Sequence, residues 1–208
     1  MVEIRSSTAF DAWFDALRDR QAQARVTVRI RRLQEGNPGQ HRVLSGGVVE
    51  MKIDFGPGYR VYFTEIGGRL VLLLAVATSR PSPATSTEPF TSPATSRTAD
   101  MPRTPRRRTT PARPTRTRRY DVAQQLRTPR EMAAYLQAWL TEAPHDAAGL
   151  ARALGDIARA RGMTRVARAA GLSRESLYKA LRRTGNPSLD TVLRVAKAVG
   201  VRLRAEAA

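Results

Sequence analysis

The run from Val76 to Arg119 constrains this chain more than any other stretch, because eight of its thirteen prolines fall between Pro81 and Pro114 among Ser, Thr and Arg. Proline fixes φ and withholds a backbone donor, so neither a helix nor an inner strand persists through such a run. This composition buries too little apolar surface to offset its ordering entropy, and disorder is expected over 76–119. Whatever folds must do so on either side, over 1–75 and over 120–208. The expected architecture is therefore two domains joined by a basic linker.

Charge narrows the partners. The net charge is +18, and the three segments carry +3, +8 and +7 in chain order, so nearly half of the excess sits in the middle. A balance this basic favours a polyanion, with nucleic acid first and an anionic membrane surface second. The arginines of 101–119 suit phosphate contacts that make no sequence choice, or a solvated linker. Cysteine is absent, which rules out disulfides, thiol nucleophiles and cysteine-based zinc sites and suits a reducing cytoplasm. His41 and His145 lie far apart and read as surface residues. No cofactor or metal motif is found, and no apolar run reaches membrane-spanning length.

In the first segment, "VEI" can be a short strand, and Ser7 or Thr8 can cap a helix running to Asp19 with Phe10, Trp13, Phe14 and Leu17 inward. A second helix over Gln21 to Glu35 turns Ala24 and Val28 inward and leaves Arg25, Arg29, Arg31 and Arg32 outside. Three strand-like stretches follow: Val48 to Phe55, Tyr59 to Ile66 and Arg69 to Ala75. In the first of these, Val49, Met51, Ile53 and Phe55 alternate with Glu50, Lys52 and Asp54, giving one buried face and one wet face. The order predicts an α+β layer, two helices on a small antiparallel sheet.

The stretches "FDAWFDALRDRQAQARVTVRIRRLQEGNPG", "GGVVEMKIDFGPGYRVYF" and "LVLLLA" resemble the RelE/ParE-type toxins of the phage-derived addiction module killer family. The resemblance implies a metal-independent ribonuclease that works on mRNA at the ribosome. On it, Lys52 and Arg60 would be the cations that stabilise charge building on phosphorus, and Tyr62 a stacking or proton-transfer group. For each of these residues taken alone, an exposed sheet side chain is the simpler account.

Members of that family continue past the last strand with Gly-Gly-Asp-Lys-Ser, where this chain reads "VATSR". Moving the frame back one nucleotide permits those five residues from Val76, Ala77, Thr78, Ser79 and Arg80. The departure implies a degenerate, truncated toxin domain (1–75) and a frameshift fusion of two genes, with Met101 near the old start of the second. An evolved linker is the alternative.

In the last segment, Thr128, Pro129 and Glu131 form a capping box for a helix with Met132, Tyr135, Leu136, Trp139 and Leu140 inward. Ala148 to Arg161 repeats Leu150, Leu154, Ile157 and Ala158 at helical spacing. Thr164 reads as an N-cap for a short helix that Gly171 ends, and Ser173 as the N-cap of the next. Leu177, Ala180 and Leu181 face inward there, and Ser173, Arg174, Glu175, Ser176, Tyr178, Lys179, Arg182 and Arg183 face out. Ser188 caps a last helix with Leu189, Val192, Leu193, Val195, Ala196 and Val199 as its buried stripe. Together these predict an all-α domain over 120–208 with a helix-turn-helix inside about 147–204.

From Tyr120 to Leu203 the sequence resembles the antidote proteins of phage-type addiction modules, which carry a Cro/C1-type helix-turn-helix. The resemblance implies a cytoplasmic, dimeric repressor of a type II toxin-antitoxin module that binds double-stranded operator DNA and neutralises a toxin in cis or in trans. Ser173, Arg174, Glu175 and Ser176 would then meet base edges, followed by Tyr178 and Lys179, while Lys179, Arg182 and Arg183 also suit phosphates. Two other functions compete with this reading. One is an active mRNA-cleaving toxin held inactive in cis by its fused antidote domain; the other is non-specific nucleic-acid binding through the basic arm. If a frameshift made the fusion, the genomic codons for residues 75–96 must read, one nucleotide back, as Gly-Gly-Asp-Lys-Ser followed by an amphipathic helix. Codons that forbid this remove the idea.

Overall fold

A computed structural model describes residues 2–77, 116–182 and 185–203, with side chains omitted for 73–77. The disorder expected for the middle of the linker falls on 78–115, outside the described residues, as does Arg183.

The sheet half begins with β1 (Ile4–Ser7) and α1 (Thr8–Ala16), whose N-cap Ser7 accepts from the Phe10 amide at 3.1 Å. The helix ends at Ala16, short of the expected Asp19, and Asp19 instead caps α2 (Arg20–Gln34). Strands β2 (His41–Val43), β3 (Val48–Ile53), β4 (Tyr59–Ile66) and β5 (Arg69–Ala77) follow. The sheet order is β2-β3-β4-β5-β1-β6, where β6 is Thr117–Arg119.

Two expectations are corrected here. The sheet is mixed, because β1 lies parallel to β5, and besides the short N-terminal strand and the three stretches read from the sequence it holds β2 and β6. The chain also orders at both ends of the presumed linker: β5 runs on to Ala77, and β6 pairs antiparallel with β1, Arg5 opposite Arg119 and Ser7 opposite Thr117. Proline-poor "TRR" can do this because edge pairing is made by backbone groups, whatever the side chains.

The helical half holds α3 (Pro129–Glu142), α4 (Ala147–Arg161), α5 (Met163–Ala169), α6 (Arg174–Leu181) and α7 (Leu189–Ala198). A short 3-10 turn, Val122–Gln125, precedes them. The capping box is formed: the Glu131 amide donates to Thr128 Oγ1 at 3.2 Å, and Glu131 Oε2 accepts from the Thr128 amide at 2.8 Å. Between α5 and α6 the backbone turns on Gly171 at φ +65°, with Leu172 N–H donating to Ala167 C=O and Gly171 N–H to Arg168 C=O. This is a Schellman closure, and Gly171 makes its positive φ inexpensive. Thr164 lies inside α5 and caps nothing, since the helix already starts at Met163.

One apolar cluster runs through both halves, from Ile4, Phe10 and Met51 through Tyr120, Tyr135 and Trp139 to Leu177 and Val199. The halves meet where α2 lies against α3 and where Phe10 contacts the Tyr120 ring edge-on, 6.1 Å between centroids. Arg29 and Arg31, expected in solvent, are 7% and 8% exposed. Arg29 donates to the carbonyls of Gln40 and Lys52; Arg31 Nε donates to Asp156 at 2.8 Å. Leu189 and Leu193 depart the other way, at 72% and 50% exposed, because α7 buries only the Val192, Val195 and Ala196 stripe.

Burial raises the Asp156 carboxyl above its ordinary range, although Arg31 beside it and Arg159 pull the other way. Removing one member of a buried pair strands the other, which costs about 3–5 kcal/mol, whereas losing one exposed cap costs about 1 kcal/mol. Urea unfolding should therefore rank Asp156→Ala well below Thr128→Ala in stability, and replacing Arg31 and Asp156 together by leucines should recover most of the loss.

Candidate functional site

Two surfaces carry the candidate residues, one on each half. On the sheet, Lys52 and Arg60 are directly paired across β3 and β4, as are Glu50 and Tyr62. Alternation places Tyr59, Val61 and Phe63 in the core and turns Arg60 and Tyr62 to the opposite face. The three residues singled out from sequence therefore do share a face. Lys52 and Arg60, though not Tyr62, line a depression of about 350 Å³ together with Gln40, His41, Arg42 and Glu50.

Sequence reasoning missed the residue at its centre. Glu50 sits on the wet face of the sheet yet is only 6% exposed, because neighbours cover it. Its carboxylate accepts from the Tyr62 hydroxyl at 3.0 Å and pairs with Arg42 at 3.2 Å and Arg60 at 3.7 Å. Burial, then the hydrogen bond to Glu50, raises the Tyr62 phenol. Lys52 turns to Asp54 at 3.2 Å. Each cation of this group thus has a carboxylate beside it, Arg42 and Arg60 sharing Glu50, and a phosphate entering the depression would meet Glu50 as a like charge. A β-bulge beside Tyr62, where pairing passes from Tyr62–Leu74 to Phe63–Leu72, breaks the regular ladder at this point.

The second surface is α6. Ser173 caps it, accepting from the Ser176 amide at 2.9 Å and donating to the Ser176 hydroxyl at 2.8 Å, so both serine side chains are engaged in the first turn. Arg174 lies over the Tyr178 ring at 5.5 Å, a contact that holds both outward. Arg174, Glu175, Ser176, Tyr178, Lys179 and Arg182 are all exposed, and Leu177 and Leu181 anchor the helix below. Gly155 lets α4 come close underneath, since a Cβ there would stand 3.0 Å from the Leu181 carbonyl.

The helix stops at Leu181, and Arg182, read from the sequence as part of its outward face, is extended. Gly185 folds back so tightly beneath the Ala180 carbonyl that a Cβ would collide with it. Sequence reasoning also passed over Arg165 and Arg168, exposed on α5. Among the described residues, Arg165, Arg168, Arg174, Lys179 and Arg182 form no ion pair.

Among the described residues no group of three or more His, Cys, Asp or Glu is placed to hold a metal ion, and no helix is long and apolar enough to cross a membrane. The site on offer is thus a solvent-facing cationic helix on a small all-helical bundle, joined to an α+β half. Residues 116–207 match the family described as "Probable addiction module antidote protein", and the chain belongs to that family through this half. Two relatives from Haemophilus influenzae (strain ATCC 51907 / DSM 11121 / KW20 / Rd), both described as "Uncharacterized protein", are similar to parts of the chain. One is 41% identical over 73 residues, 35% of this chain and 74% of the relative. The other is 46% identical over 87 residues, 42% of this chain and 88% of the relative. No solved structure matches significantly. The family match supports an addiction-module antitoxin role, and an antidote implies a toxin partner in cis or in trans.

Removing the charge at Glu50 should loosen the sheet group in a readable way. In Glu50→Gln, the Tyr62 phenol should titrate at lower pH than in the parent, because the negative charge that opposes its ionisation is gone and the amide that replaces it can donate to the phenolate. Ring resonances of labelled tyrosine followed against pH would show this, and an unmoved Tyr62 would sever the link to Glu50.

Proposed function

We propose that this chain is a DNA-binding antitoxin and transcriptional repressor of a type II toxin-antitoxin module, fused to an inactive RelE/ParE-like toxin domain. In this reading α5 and α6 are a Cro/C1-type helix-turn-helix. The observation that carries it is the contrast in charge pairing: cations of the sheet group are held by carboxylates, while those of α5 and α6 stand exposed and unpaired among the described residues. Unpaired cations exposed along two such helices are what a phosphate backbone attracts, and the N-terminal end of α6, with Arg174, would enter the major groove.

The roles divide by reach. Arg174 is the candidate for bidentate contact with guanine, and Glu175, Ser176 and Tyr178 for neighbouring base edges. Ser173 holds the first turn, and Lys179, Arg182 and Arg183 take phosphates. Repression would use a homodimer on two half-sites about 34 Å apart. The exposed leucines of α7, Leu189 and Leu193, one turn apart, offer an apolar patch for self-association. Such a repressor works in the cytoplasm.

The competing reading, an active toxin restrained by its own antidote half, finds less support. The catalytic candidates Lys52, Arg60 and Tyr62 do share a face, but Asp54 holds Lys52 and Glu50 holds Arg60 and Tyr62, and every residue lining the depression comes from the sheet half. An antidote half that restrained this site by covering it would contribute to that lining.

Binding of the full chain to its own promoter tests the proposal. Arg174→Ala should cost about 1–3 kcal/mol and relax the preference at one base position, whereas Lys179→Ala should weaken all sequences alike and flatten the salt dependence. If changing both leaves promoter recognition intact, the helix-turn-helix reading is wrong; binding that survives but collapses with salt points instead to the basic arm.

A further inference from the structure

The contact between the two halves has an order of charges that packing alone does not require. Along α2, Arg20, Arg25, Arg31 and Glu35 meet Glu131, Glu142, Asp156 and Arg152 of α3 and α4. Three cations and then an anion face three anions and then a cation. Arg25 pairs with Glu142 at 2.9 Å, Arg31 with Asp156 at 2.8 Å, and Glu35 with Arg152 at 2.7 Å. Beside this row, β6 adds to the free side of β1, and Arg118 reaches Asp11 at 2.6 Å.

We propose that β6, α3 and the first turns of α4 form a charge-coded recognition surface, and that its occupant is the sheet half of this chain, residues 2–77, held as a separate binding partner is held. The two components do different work. Strand addition joins backbone to backbone and accepts almost any sequence. The ion-pair row supplies selectivity, because an α+β domain whose helix carried another charge order would set like charges against Glu131, Glu142, Asp156 or Arg152 in a half-buried seam. The side chains of Arg25, Glu142, Arg31, Asp156, Glu35 and Arg152 are between 7% and 19% exposed, so solvent screens them little. The same surface is then the one through which a member of this antidote family selects its toxin. This deepens the antidote reading and does not depend on DNA binding.

The covalent link should accordingly be dispensable once the chain has folded. A site-specific protease sequence inserted within 78–115 of the full chain allows the link to be cut after purification. The two fragments should then co-elute on size exclusion at about 150 mM salt. Glu142→Arg should weaken their association at least about ten-fold, and adding Arg25→Glu should return it to within about three-fold of the parent. Should Glu142→Arg not yield folded chain, Glu142→Gln is expected to give a loss of about three-fold that Arg25→Gln does not deepen. Fragments that part on cleavage, or an affinity indifferent to Glu142, overturn the proposal. So does a swap that fails to restore binding. If the fragments part while the intact chain still holds its promoter, the docking inference fails and the repressor reading stands.

Discussion

The pair between Arg31 and Asp156 ties the molecule together across 125 residues of sequence. Tyr135 donates to the same carboxylate oxygen at 3.2 Å, and Arg159 approaches the other at 3.2 Å, so a nearly buried anion is satisfied by two cations and a phenol. A buried pair of this kind adds little net stability over an apolar core, since desolvating both charges offsets their attraction. What it adds is intolerance of misalignment. If α2 slid along α3, a guanidinium and a carboxylate would each be left in a dry seam at several kcal/mol apiece. The apolar cluster brings the halves together, and the pair decides how they lie.

The same accounting of charge explains why a very basic chain presents so little free cation on its sheet. Arg25, Arg31, Arg42 and Arg60 are all committed to carboxylates, and Arg25 also lies over the Phe55 ring at 4.5 Å. Outside the basic run of 76–119, exposed cations without a carboxylate partner among the described residues include Arg165, Arg168, Arg174, Lys179 and Arg182 of the far helices. A polyanion approaching this molecule is steered by those charges, and the depression around Glu50 competes poorly for it.

What could be read from the sequence was what local chemistry decides. Thr128 with Glu131, Ser173 and Ser188 announce helix starts because their partners lie three residues away. The alternation of Val49, Met51 and Ile53 announces a strand because its period is intrinsic to the pleat. What stayed hidden depended on distant partners. Arginine is normally a surface residue, so nothing near Arg31 hints at Asp156, and nothing near Glu50 hints that Arg42, Arg60 and Tyr62 will close over it. Strand β6 was invisible because its ladder with β1 is made by backbone groups, and its side-chain contacts, Thr117 with Arg5 and Arg118 with Asp11, join positions 112 and 107 residues apart. The α7 stripe was read too wide because periodicity tells which side faces in, and only the neighbours tell how much of that side is covered.

Strand order bears on how the helical half could act on the sheet half joined to it. The helical half enters the sheet at the β6 end and across α2, while Lys52 and Arg60 lie on β3 and β4, toward the opposite edge. Restraint by direct cover would need the helical half to reach across β5 and β4, and the lining of the depression shows no such reach. Two routes are left by which this contact can affect the sheet: through the frame, since Arg29 of α2 holds the carbonyls of Gln40 and Lys52 beside that depression, or by blocking a surface of α2 and β1 that a larger target would need. Both act at the seam where α2 meets α3, which makes the fit of that helix pair, more than any residue of the depression, the point at which one half can govern the other.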